Sequence, residues 1–535
     1  MKINLRFLLV LLAVYSIVLG IRVFWLTQKN GFHVDEGMTI ALANYKDYII
    51  NKNYEYEKEY TGKEIKEESF GANDSFSDVI SDIKSLWKDN RDPPHTNLYY
   101  SLLRISLTGI RSADIKPVIF RGAVLNLILF TVSFTFFFLL IRILFPGSVL
   151  LQYTAVLCAF LSTAAISNTL FIRPYQIQET MFIVLSYYFI KTMDLQNGLF
   201  SGSKRFIVMQ LIFYAFITGI TLLTGYYTVI FIGLLGLYAV TVKYREKRYK
   251  VILFYFFILV MGLITAKVLY PGYYAGFGSY RGTETIRTIS ANVTENLKHS
   301  TAAAVTLLKD HFFAFQAIAF CLLCAGYIVF KKIKMTFNRH ALFLFLAALL
   351  YFIVTLAIAP YKILRYGMPV FPFFVILPVM LIGSIHVKSR KIAAIAAVLL
   401  CCCFLPGAFN KNKIENLFFD KPAQYAFAQD ANTPVYILMF YFRDWGYTAT
   451  WKYGNLVPYL NNDQKYFFIR DYSELDSAPY DEIYVVIENI PPLQEFTNAN
   501  FEIIEEFEIF TGEPETPSGL GNYFICKKVR KKPKV

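Results

Sequence analysis

The stretch that decides the fold is FIVMQLIFYAFITGITLLTGYYTVIFIGLLGLYAVTV, residues 206–242. It is almost wholly apolar and much longer than the roughly 20 residues that one helix needs to cross a bilayer. Basic residues flank it, Lys204 and Arg205 before it and Lys243 after it, and Thr224-Gly225 interrupts its middle. Because cations mark cytoplasmic helix ends and Gly favours turns, the stretch predicts two membrane helices joined by a tight turn.

The composition of the whole chain is also typical of a membrane protein. Of its 535 residues, 56% are hydrophobic and 17% aromatic, and only 17% are charged. Soluble globular domains carry more charge and fewer aromatic side chains. Stretches of bilayer length predict about eleven membrane helices. They lie near residues 7–26, 118–141, 149–168, 177–193, 206–223, 225–242, 251–270, 312–330, 341–359, 368–385 and 392–408.

The net charge of +14 raises the question of nucleic-acid binding. The Lys and Arg residues occur in short clusters between apolar stretches, however, which is the pattern of a polytopic membrane protein. With a cytoplasmic N-terminus and a retained first helix, these clusters fall in alternate loops, all on the cytoplasmic side. They contain Arg142, Lys204–Arg205, Lys243–Lys250, Lys331–Lys334 and Lys388–Lys391. We therefore expect membrane lipids as partners and no nucleic acid.

The same topology predicts large segments on the outer side of the membrane. The first outer segment, about 27–116, contains the charge-rich stretch NKNYEYEKEYTGKEIKEE (51–68), which we expect to be a mobile insertion. A second long outer loop covers 271–311. Residues 410–535 contain alternating stretches such as KYFFI and EIYVVIE, which are typical of strands. We predict an all-α polytopic membrane domain over 1–409 and an extracytoplasmic α/β domain over 410–535.

Three arginines are predicted at the outer ends of helices, where the positive-inside rule expects few cations. They are Arg121, Arg173 and Arg365, and Lys362 lies near the last. Each could extend to lipid headgroups or pair with an acid. Three arginines on one face favour a bound phosphate, because guanidinium groups bind phosphate through paired N–H donors.

The stretch RDPPHTNLYYSLLRISL (91–107) predicts a short helix that starts after Pro93-Pro94. Its apolar residues Leu98, Leu102, Ile105 and Leu107 alternate with Asn97, Ser101, Arg104 and Ser106, which predicts an amphipathic helix in the membrane interface. The stretch could be a membrane-surface helix and no more. His95 gains interest only if this loop folds toward Asp35.

Two adjacent acids, Asp35 and Glu36, follow the first span in GFHVDEGMTIALAN (31–44). Acidic residues are favoured at helix N-termini by the helix dipole, so the pair could be structural. A carboxylate at the membrane face could instead accept a proton from an attacking hydroxyl group. Adjacent helical residues point in different directions, so at most one of the two faces a given site.

Taken in order, these motifs resemble those of the GT-C membrane glycosyltransferases. The similarity is greatest to the bacterial protein O-mannosyltransferase-like branch, which includes the lipid A aminoarabinose transferase. It covers roughly residues 5–410. The matching motifs are Asp35-Glu36, Pro93-Pro94 with Leu98-Tyr99-Tyr100, Arg121, Arg173-Pro174-Tyr175, and Arg365-Tyr366 with Pro369.

This resemblance implies a polyprenyl-phosphate sugar donor and an inverting transfer to an acceptor hydroxyl group at the outer face of a bacterial cytoplasmic membrane. It implies that Asp35 is the catalytic base, and Glu36 then either supports it or faces away. It implies that Arg365, with Arg173, holds the donor phosphate. The remaining residues expected to bind substrate are Tyr366, Tyr175, Arg121, His95 and Tyr99.

Several points stay open in the sequence. The acceptor could be a protein, lipid A or an envelope glycan. The turn FIRPYQIQE contains Glu179 but no Asp-x-Asp, so metal dependence is doubtful and no metal ligand is assigned. A transporter or flippase would predict ionisable residues at mid-membrane and repeated halves. We find no repeat, and Lys267 is the nearest charge of that kind. A non-catalytic assembly protein is a third possibility.

Overall fold

The computed structural model describes residues 5–46, 58–72, 75–92, 95–110, 115–194, 203–290, 293–335, 338–359, 362–414, 430–438, 457–469, 473–476, 478–488, 497, 500–510 and 523–532. Its first helices are α1 (Leu5–Gln28), α2 (Val34–Ala43), α3 (Gly62–Phe70), α4 (Phe76–Lys88), α5 (Leu98–Ser106), α6 (Ile115–Leu144), α7 (Val149–Leu161), α8 (Thr163–Leu170), α9 (Tyr175–Asp194), α10 (Lys204–Leu222) and α11 (Thr228–Arg245). The later helices are α12 (Tyr249–Leu269), α13 (Tyr273–Gly276), α14 (Tyr280–Ser290), α15 (Val293–Leu308), α16 (Ala314–Phe330), α17 (Arg339–Ile358), α18 (Phe371–Phe374), α19 (Ile376–Lys388), α20 (Arg390–Ala408) and α21 (Ser473–Asp476).

The described strands are β1 (Glu59–Thr61), β2 (Val435–Leu438), β3 (Lys465–Ile469), β4 (Glu482–Glu488), β5 (Phe501–Phe510) and β6 (Tyr523–Lys531). Short 3-10 turns lie at Leu364–Tyr366, Met368–Val370, Lys411–Lys413 and Val457–Tyr459. The prediction of a mainly α-helical chain with strands near its C-terminus is confirmed.

The stretch 206–242 folds as predicted, into helices α10 and α11 with a break between them. At the break, the Thr224 hydroxyl donates to the carbonyl of Thr221 at 2.7 Å, and the Thr228 hydroxyl donates to the carbonyl of Gly225 at 2.6 Å. Both threonine hydroxyl groups are thus bonded locally, to carbonyl groups at the break. The polar interruption in the apolar stretch is therefore the turn.

Eight helices of the described chain are long and apolar enough to cross a membrane, and ten spans result if each of two bent helix pairs counts as one. One bent pair is α7 with α8, which meet at 58°. The Ser162 hydroxyl accepts a hydrogen bond from the backbone N–H of Ala165 there and caps α8. The other pair, Asn296–Phe312 with Gln316–Phe330, bends by 94°.

The remaining predicted span, 177–193, corresponds to α9, which is a helix of 20 residues but is not one of these eight or ten. Its first two turns carry Gln176, Gln178 and Glu179, and Lys191 lies in its last turn. These polar side chains lower its hydropathy below that of the other long helices. The chain is thus a multi-pass membrane protein by the length and composition of its helices.

The chain divides into two compact units, and each is described by itself. Unit 1 comprises Met1–Thr27, Trp87–Tyr99 and Ala123–Glu415, and unit 2 comprises Gln28–Leu86, Tyr100–Gly122 and Asn416–Val535. Unit 2 groups the C-terminal residues with most of the segment between the first two predicted spans. The predicted domain boundary after residue 409 stays a prediction.

Unit 2 contains a mixed sheet with the strand order β1-β3-β2-β4-β6-β5 in its described part. Strand β2 pairs in parallel with both β3 and β4, and the other neighbours pair antiparallel. One face carries a core of Tyr436, Phe467, Ile469, Leu475, Ala478, Ile483, Val485, Phe501 and Val529. The alternating stretches in the C-terminal sequence therefore formed strands as predicted.

The predicted mobile insertion is wrong for the part of it that the structure describes. Strand β1 pairs with β3 in the register Glu59 with Phe467 and Thr61 with Lys465. Thr61 then caps α3, because its hydroxyl accepts from the backbone N–H of Glu64 at 3.2 Å. The charge-rich composition suggested disorder, but the apolar side chains of Tyr60 and Ile65 are buried and hold the segment. Residues 51–57 lie outside the described residues.

Helix α5 forms where the sequence predicted a short amphipathic helix, but its buried face is different. Arg104, predicted on the polar face, is fully buried, whereas Ile105, predicted on the apolar face, is 55% exposed. The Arg104 Nε–H donates to Asp82 Oδ2 at 2.7 Å, so an acid on α4 compensates the buried guanidinium. Pro93-Pro94, the predicted helix-start signal, lie outside the described residues.

Candidate active site

The acid pair of unit 2 lies in the first turn of α2, and His33 caps that helix. The His33 Nδ1 accepts a hydrogen bond from the backbone N–H of Asp35 at 3.1 Å. In return, Glu36 Oε2 accepts from the backbone N–H of His33 at 2.8 Å. This reciprocal arrangement is a capping box, which satisfies two N–H groups at the start of the helix. The structural interpretation of the acid pair therefore applies to Glu36.

Glu36 is also the partner of Lys29 in an ion pair whose two side chains are fully buried. Burial lowers the pKa of Lys29 below its ordinary value, against the opposing effect of the charge and hydrogen bond of Glu36. The carboxylate of Glu36 thus pairs with a buried cation through one oxygen and accepts the cap hydrogen bond through the other. A group used in this way is poorly suited to exchange protons with a substrate.

Asp35 is buried to 5% exposure, and its backbone rather than its side chain takes part in the cap. The Thr39 hydroxyl donates to the backbone carbonyl of Asp35 at 2.7 Å, one turn later in α2. Because Nδ1 of His33 accepts from an N–H group, the proton of the neutral imidazole is on Nε2. The Asp35 Oδ2 lies 3.7 Å from that Nδ1, close enough for the two groups to influence each other.

In unit 1, two of the predicted substrate-binding residues, Arg173 and His95, are in contact. Its Nη2 lies 2.7 Å from His95 Nε2, and its Nη1 lies 3.8 Å from Asp92 Oδ2. A guanidinium group only donates, so Nε2 accepts and the neutral His95 ring carries its proton on Nδ1. Asp92 was not predicted as a site residue, although it stands directly before Pro93-Pro94 in the sequence.

Asn90 organises the loop that carries Asp92 and His95. Its Nδ2 donates to the His95 carbonyl at 2.8 Å, and its Oδ1 accepts from the backbone N–H of Asp92 at 3.1 Å and from the Tyr270 hydroxyl at 3.2 Å. Burial, together with the nearby charge of Asp89, raises the pKa of Tyr270 to about 12. Tyr270 is therefore a neutral hydrogen-bond donor that holds this loop.

Asn126 of α6 forms hydrogen bonds that support the turn carrying Arg173. Asn126 Nδ2 donates to the Phe171 carbonyl at 2.7 Å, and its Oδ1 accepts from the Tyr99 hydroxyl at 2.9 Å. The Arg173 N–H donates to the same Phe171 carbonyl at 2.7 Å. Asn126 is fully buried and Tyr99 is 1% exposed. Tyr99, predicted to bind substrate, thus contributes its hydroxyl group to the support of this turn.

Tyr366, another predicted binding residue of unit 1, lies in a small aromatic cluster with Arg365. The Arg365 guanidinium lies 5.9 Å from the Tyr366 ring centroid, and the Tyr366 ring meets the Tyr227 ring edge-on at 5.9 Å. Arg365 is half-buried, whereas Arg173 is only 4% exposed. Tyr175 stacks on Phe171 with ring centroids 6.1 Å apart.

Gly367 allows the Arg365–Tyr366 turn to lie close to α17. A Cβ atom at this position would be 2.2 Å from Cε2 of Phe352. Tyr351, the neighbour of Phe352, meets the rings of Phe182 and Phe231 edge-on, with centroid distances of 5.2 and 6.1 Å. The turn that carries Arg365 and Tyr366 therefore packs directly against α17.

Two buried ionisable residues of unit 1, Arg22 and Glu179, were not predicted as site residues. Arg22 of α1 is fully buried, with its Nε donating to the Thr169 hydroxyl at 2.9 Å and its guanidinium 3.9 Å from the Phe130 ring centroid. Glu179 of α9 is 1% exposed and accepts hydrogen bonds from Asn168 at 2.9 Å and Gln176 at 3.1 Å. The signal was available, because charged residues inside predicted spans are rare.

The remaining predicted site residues belong to unit 2. Arg121 is exposed and belongs to unit 2, where its carbonyl accepts from the Ser106 hydroxyl at 2.6 Å. Asp35 and Glu36 also belong to unit 2, whereas Arg173 and Arg365 belong to unit 1. Over the described ranges, no group of three or more His, Cys, Asp or Glu side chains is placed to hold a metal ion.

The described helices and sheet define a polytopic, mainly α-helical membrane protein with a mixed C-terminal sheet. No family model matches the sequence, and no curated protein matches it. The chain is similar to the solved structure of ArnT from Cupriavidus metallidurans bound to undecaprenyl phosphate, with 10% identity, 96% of this chain and 97% of that chain covered, and a TM-score of 0.48. It is similar to the apo state of ArnT from the same organism at 12% identity, with 97% of each chain covered and a TM-score of 0.48. At this identity and TM-score the similarity assigns neither an activity nor site residues to the chain.

Proposed function

We propose that the protein is a membrane glycosyltransferase that moves a sugar from a polyprenyl-phosphate-linked donor to an acceptor hydroxyl group at the outer face of a bacterial cytoplasmic membrane. The observation that carries the proposal is the different use of two adjacent acids. Glu36 is bound to the buried Lys29 and caps α2, so of the pair Asp35 is the better candidate for proton transfer. The ordered GT-C-like motifs of the sequence support the same conclusion.

In the proposed reaction, the acceptor oxygen attacks the anomeric carbon of the sugar from the face opposite the lipid phosphate. The hydroxyl proton passes to the Asp35 carboxylate as the new C–O bond forms. The bond between the anomeric carbon and the phosphate oxygen breaks, and its electron pair leaves with the phosphate. One displacement of this kind inverts the anomeric configuration, as in other reactions where a carboxylate activates the nucleophile opposite the leaving group.

The lipid phosphate gains negative charge as it leaves, and we assign its stabilisation mainly to Arg365. Arg365 is half-buried, so part of the residue remains accessible to a ligand. Arg173 is more deeply buried and lies beside His95 and Asp92, so we assign it a supporting electrostatic role. Tyr366 and Tyr175 would contact the donor through their rings, and His95 would orient Arg173. Arg121 is exposed in unit 2 and could contact lipid or donor headgroups.

The assay of this proposal uses membranes from cells that produce the protein, a panel of radiolabelled polyprenyl-phosphate sugars, and an envelope extract as acceptor. We expect transfer from one donor, and its loss in Asp35→Asn while the protein still inserts and folds. Asp78→Asn is the matched control, since Asp78 is likewise an acid in the first turn of a helix of unit 2. Full transfer by Asp35→Asn would refute the base assignment. Mass spectrometry of envelope lipids, glycans and proteins would identify the acceptor.

The buried charges of unit 1 favour one alternative, a transporter or flippase for the same class of lipid. Ionisable residues inside membrane helices often mark a transport path. Arg22 and Glu179, however, are engaged by side chains and carbonyl groups of α1, α7, α8 and α9. An assay with labelled donor lipid in liposomes that contain the purified protein distinguishes the flippase from the glycosyltransferase. A flippase would move labelled donor lipid between leaflets without transferring its sugar, and a glycosyltransferase requires acceptor and releases lipid phosphate.

A further inference from the structure

The backbone just before the acid-bearing helix α2 is in direct contact with Tyr459, which follows from the position of Gly31. A Cβ atom at Gly31 would lie 1.8 Å from the Tyr459 hydroxyl oxygen and 2.6 Å from Cζ of the ring. A side chain at this position would have to displace the Tyr459 hydroxyl group, so in this arrangement the tyrosine lies directly against the backbone. Gly31 stands two residues before the cap His33, in the same short segment as Asp35.

Tyr459 is itself attached to the sheet of unit 2. It ends the 3-10 turn Val457–Tyr459, in which Val457 is fully buried. The link from this turn to β3 is held by Tyr466, whose hydroxyl accepts from the backbone N–H of Asn461 at 2.9 Å and donates to Gln464 Oε1 at 2.7 Å. The ring that touches Gly31 is therefore placed by the sheet.

Helix α3 connects α2 to the same sheet at a second point. The Phe32 and Phe70 rings meet at a centroid distance of 5.5 Å, and Asn44 Nδ2 donates to the Phe70 carbonyl at 3.1 Å. At its other end, α3 is bound to the loop before β3. The Gly62 N–H donates to the Gln464 carbonyl at 3.2 Å, and Lys66 Nζ donates to Asn462 Oδ1 at 3.0 Å.

We infer that Tyr459 is a positioning residue of the C-terminal sheet that sets the orientation of the α2 N-terminus and thereby of Asp35. The inference rests on the proposed role of Asp35 as base. It assigns a task to the C-terminal residues, which carry no sequence motif of their own. Tyr459 itself touches neither donor nor acceptor in this proposal. Catalytic groups displaced by about 1 Å can lose on the order of a hundredfold in rate, so a ring that supports the helix start matters for turnover.

Three single variants and one double variant test the contact. Tyr459→Ala removes the ring and should lower kcat by about tenfold to a hundredfold while leaving KM for the polyprenyl-phosphate donor unchanged. Tyr459→Phe keeps the ring against Gly31 and should retain nearly full kcat. Gly31→Ala introduces the clash and should also lower kcat. In Gly31→Ala/Tyr459→Ala the clash is relieved, so the double variant should be no less active than Tyr459→Ala alone.

Tyr480→Ala is the matched control, because Tyr480 is also a partly buried tyrosine that packs on the sheet core, against Phe467. A merely structural role for Tyr459 would make both alanine variants lose activity in proportion to their loss of thermal stability. Because a smaller folded fraction lowers the apparent kcat without changing KM, rates are expressed per folded protein in each preparation. Equal effects of the two variants, or unchanged kcat in Tyr459→Ala, would overturn the inference.

Hydrogen exchange provides a readout that does not depend on the reaction. The backbone N–H groups of Glu36 and Gly37 both donate to the His33 carbonyl, at 2.8 and 3.0 Å. Peptides that contain them should exchange faster in Tyr459→Ala than in wild type, and not in Tyr459→Phe or Tyr480→Ala. If the wild type transfers no sugar but these exchange rates change as expected, the proposed function fails and the positioning contact stands. If the wild type is active and exchange is unchanged, the positioning role fails alone.

Discussion

Lys29 and Glu36 form an ion pair in which neither side chain is exposed to solvent. The pair links the segment just after α1 with the first turn of α2, and Glu36 also accepts from the backbone N–H of His33. A buried pair of this kind is weak evidence for added stability, because desolvation opposes the attraction. Removal of one partner should destabilise the protein, because the other charge then remains buried without compensation.

We expect Lys29→Met to destabilise the protein by about 3–5 kcal/mol, because Glu36 loses the cation that compensates its burial. Lys29→Met/Glu36→Gln should recover most of that loss, since a neutral amide can still accept at the cap. Denaturant titration of the detergent-solubilised protein measures the free energy of unfolding of both variants. Lys63→Met is the control, because Lys63 and Glu67 are 4.0 Å apart with side chains 60% and 41% exposed. Equal stabilities of Lys29→Met and Lys63→Met would contradict the expectation.

Arg365→Ala should raise KM for the polyprenyl-phosphate donor by tenfold or more, in order of magnitude, because a charge-assisted contact with phosphate is lost. KM for the acceptor should change much less. Arg365→Lys should be intermediate, since lysine offers a charge without the paired N–H donors. Arg339→Ala removes a guanidinium that is 61% exposed and serves as the control. An unchanged donor KM in Arg365→Ala would remove Arg365 from the proposed phosphate site.

Asn126→Leu should destabilise unit 1 by about 1–3 kcal/mol, because the buried Tyr99 hydroxyl loses its acceptor and the Phe171 carbonyl keeps only the hydrogen bond from the Arg173 N–H. The same change should lower turnover, since this carbonyl belongs to the turn that presents Arg173. Tyr99→Phe removes only the hydrogen bond to Asn126 Oδ1 and should have a smaller effect on both quantities. Thermal unfolding and initial rates on the same preparations test the pair. A greater loss in Tyr99→Phe than in Asn126→Leu would be inconsistent with this arrangement.

Protonation of Asp430 in acid should make the sheet of unit 2 less stable. Burial alone would raise the pKa of Asp430, but hydrogen bonds from Thr433 and Lys528 outweigh it and lower the pKa below its ordinary 3.8. A carboxyl group whose folded-state pKa is depressed contributes stability above its unfolded pKa, and that contribution is lost as pH falls through the folded pKa.

The stability difference between wild type and Asp430→Asn should therefore be constant from neutral pH down to about pH 4 and should shrink below it. Thermal unfolding at a series of pH values measures this difference. Asp463→Asn removes an exposed carboxylate of the same unit and controls for net charge. A difference that grows as the pH falls would have the wrong sign.

The extent of the helices was predictable because a bilayer demands a fixed apolar length, which is a local property of the sequence. The break between α10 and α11 followed from Thr224-Gly225 for the same reason. The bends between α7 and α8 and near residue 313 did not, because a polar interruption shorter than a turn leaves hydropathy almost unchanged. The antiparallel pairing of β1 with β3 was also not predicted, since Glu59 and Phe467 are far apart in the chain.

The candidate site divides in the same way. Residue types and order along the chain singled out Asp35, Arg173 and Arg365, and those roles stay predictions. The sequence could not show that Glu36 is bound to Lys29, or that Arg173 lies between His95 and Asp92. Arg22 and Glu179 were visible as charges within apolar stretches, but their burial depends on neighbours from four helices.

Local length, period and charge were enough to predict a polytopic helical protein, the break between α10 and α11, the strands of the C-terminal region and a short set of residues able to take part in chemistry. Three features required the folded chain: which acid of the adjacent pair is structural, which side chains support the Arg173 turn, and the contact of Tyr459 with Gly31. Each of them depends on a contact between residues distant in sequence or on the direction of one side chain, and composition and period specify neither.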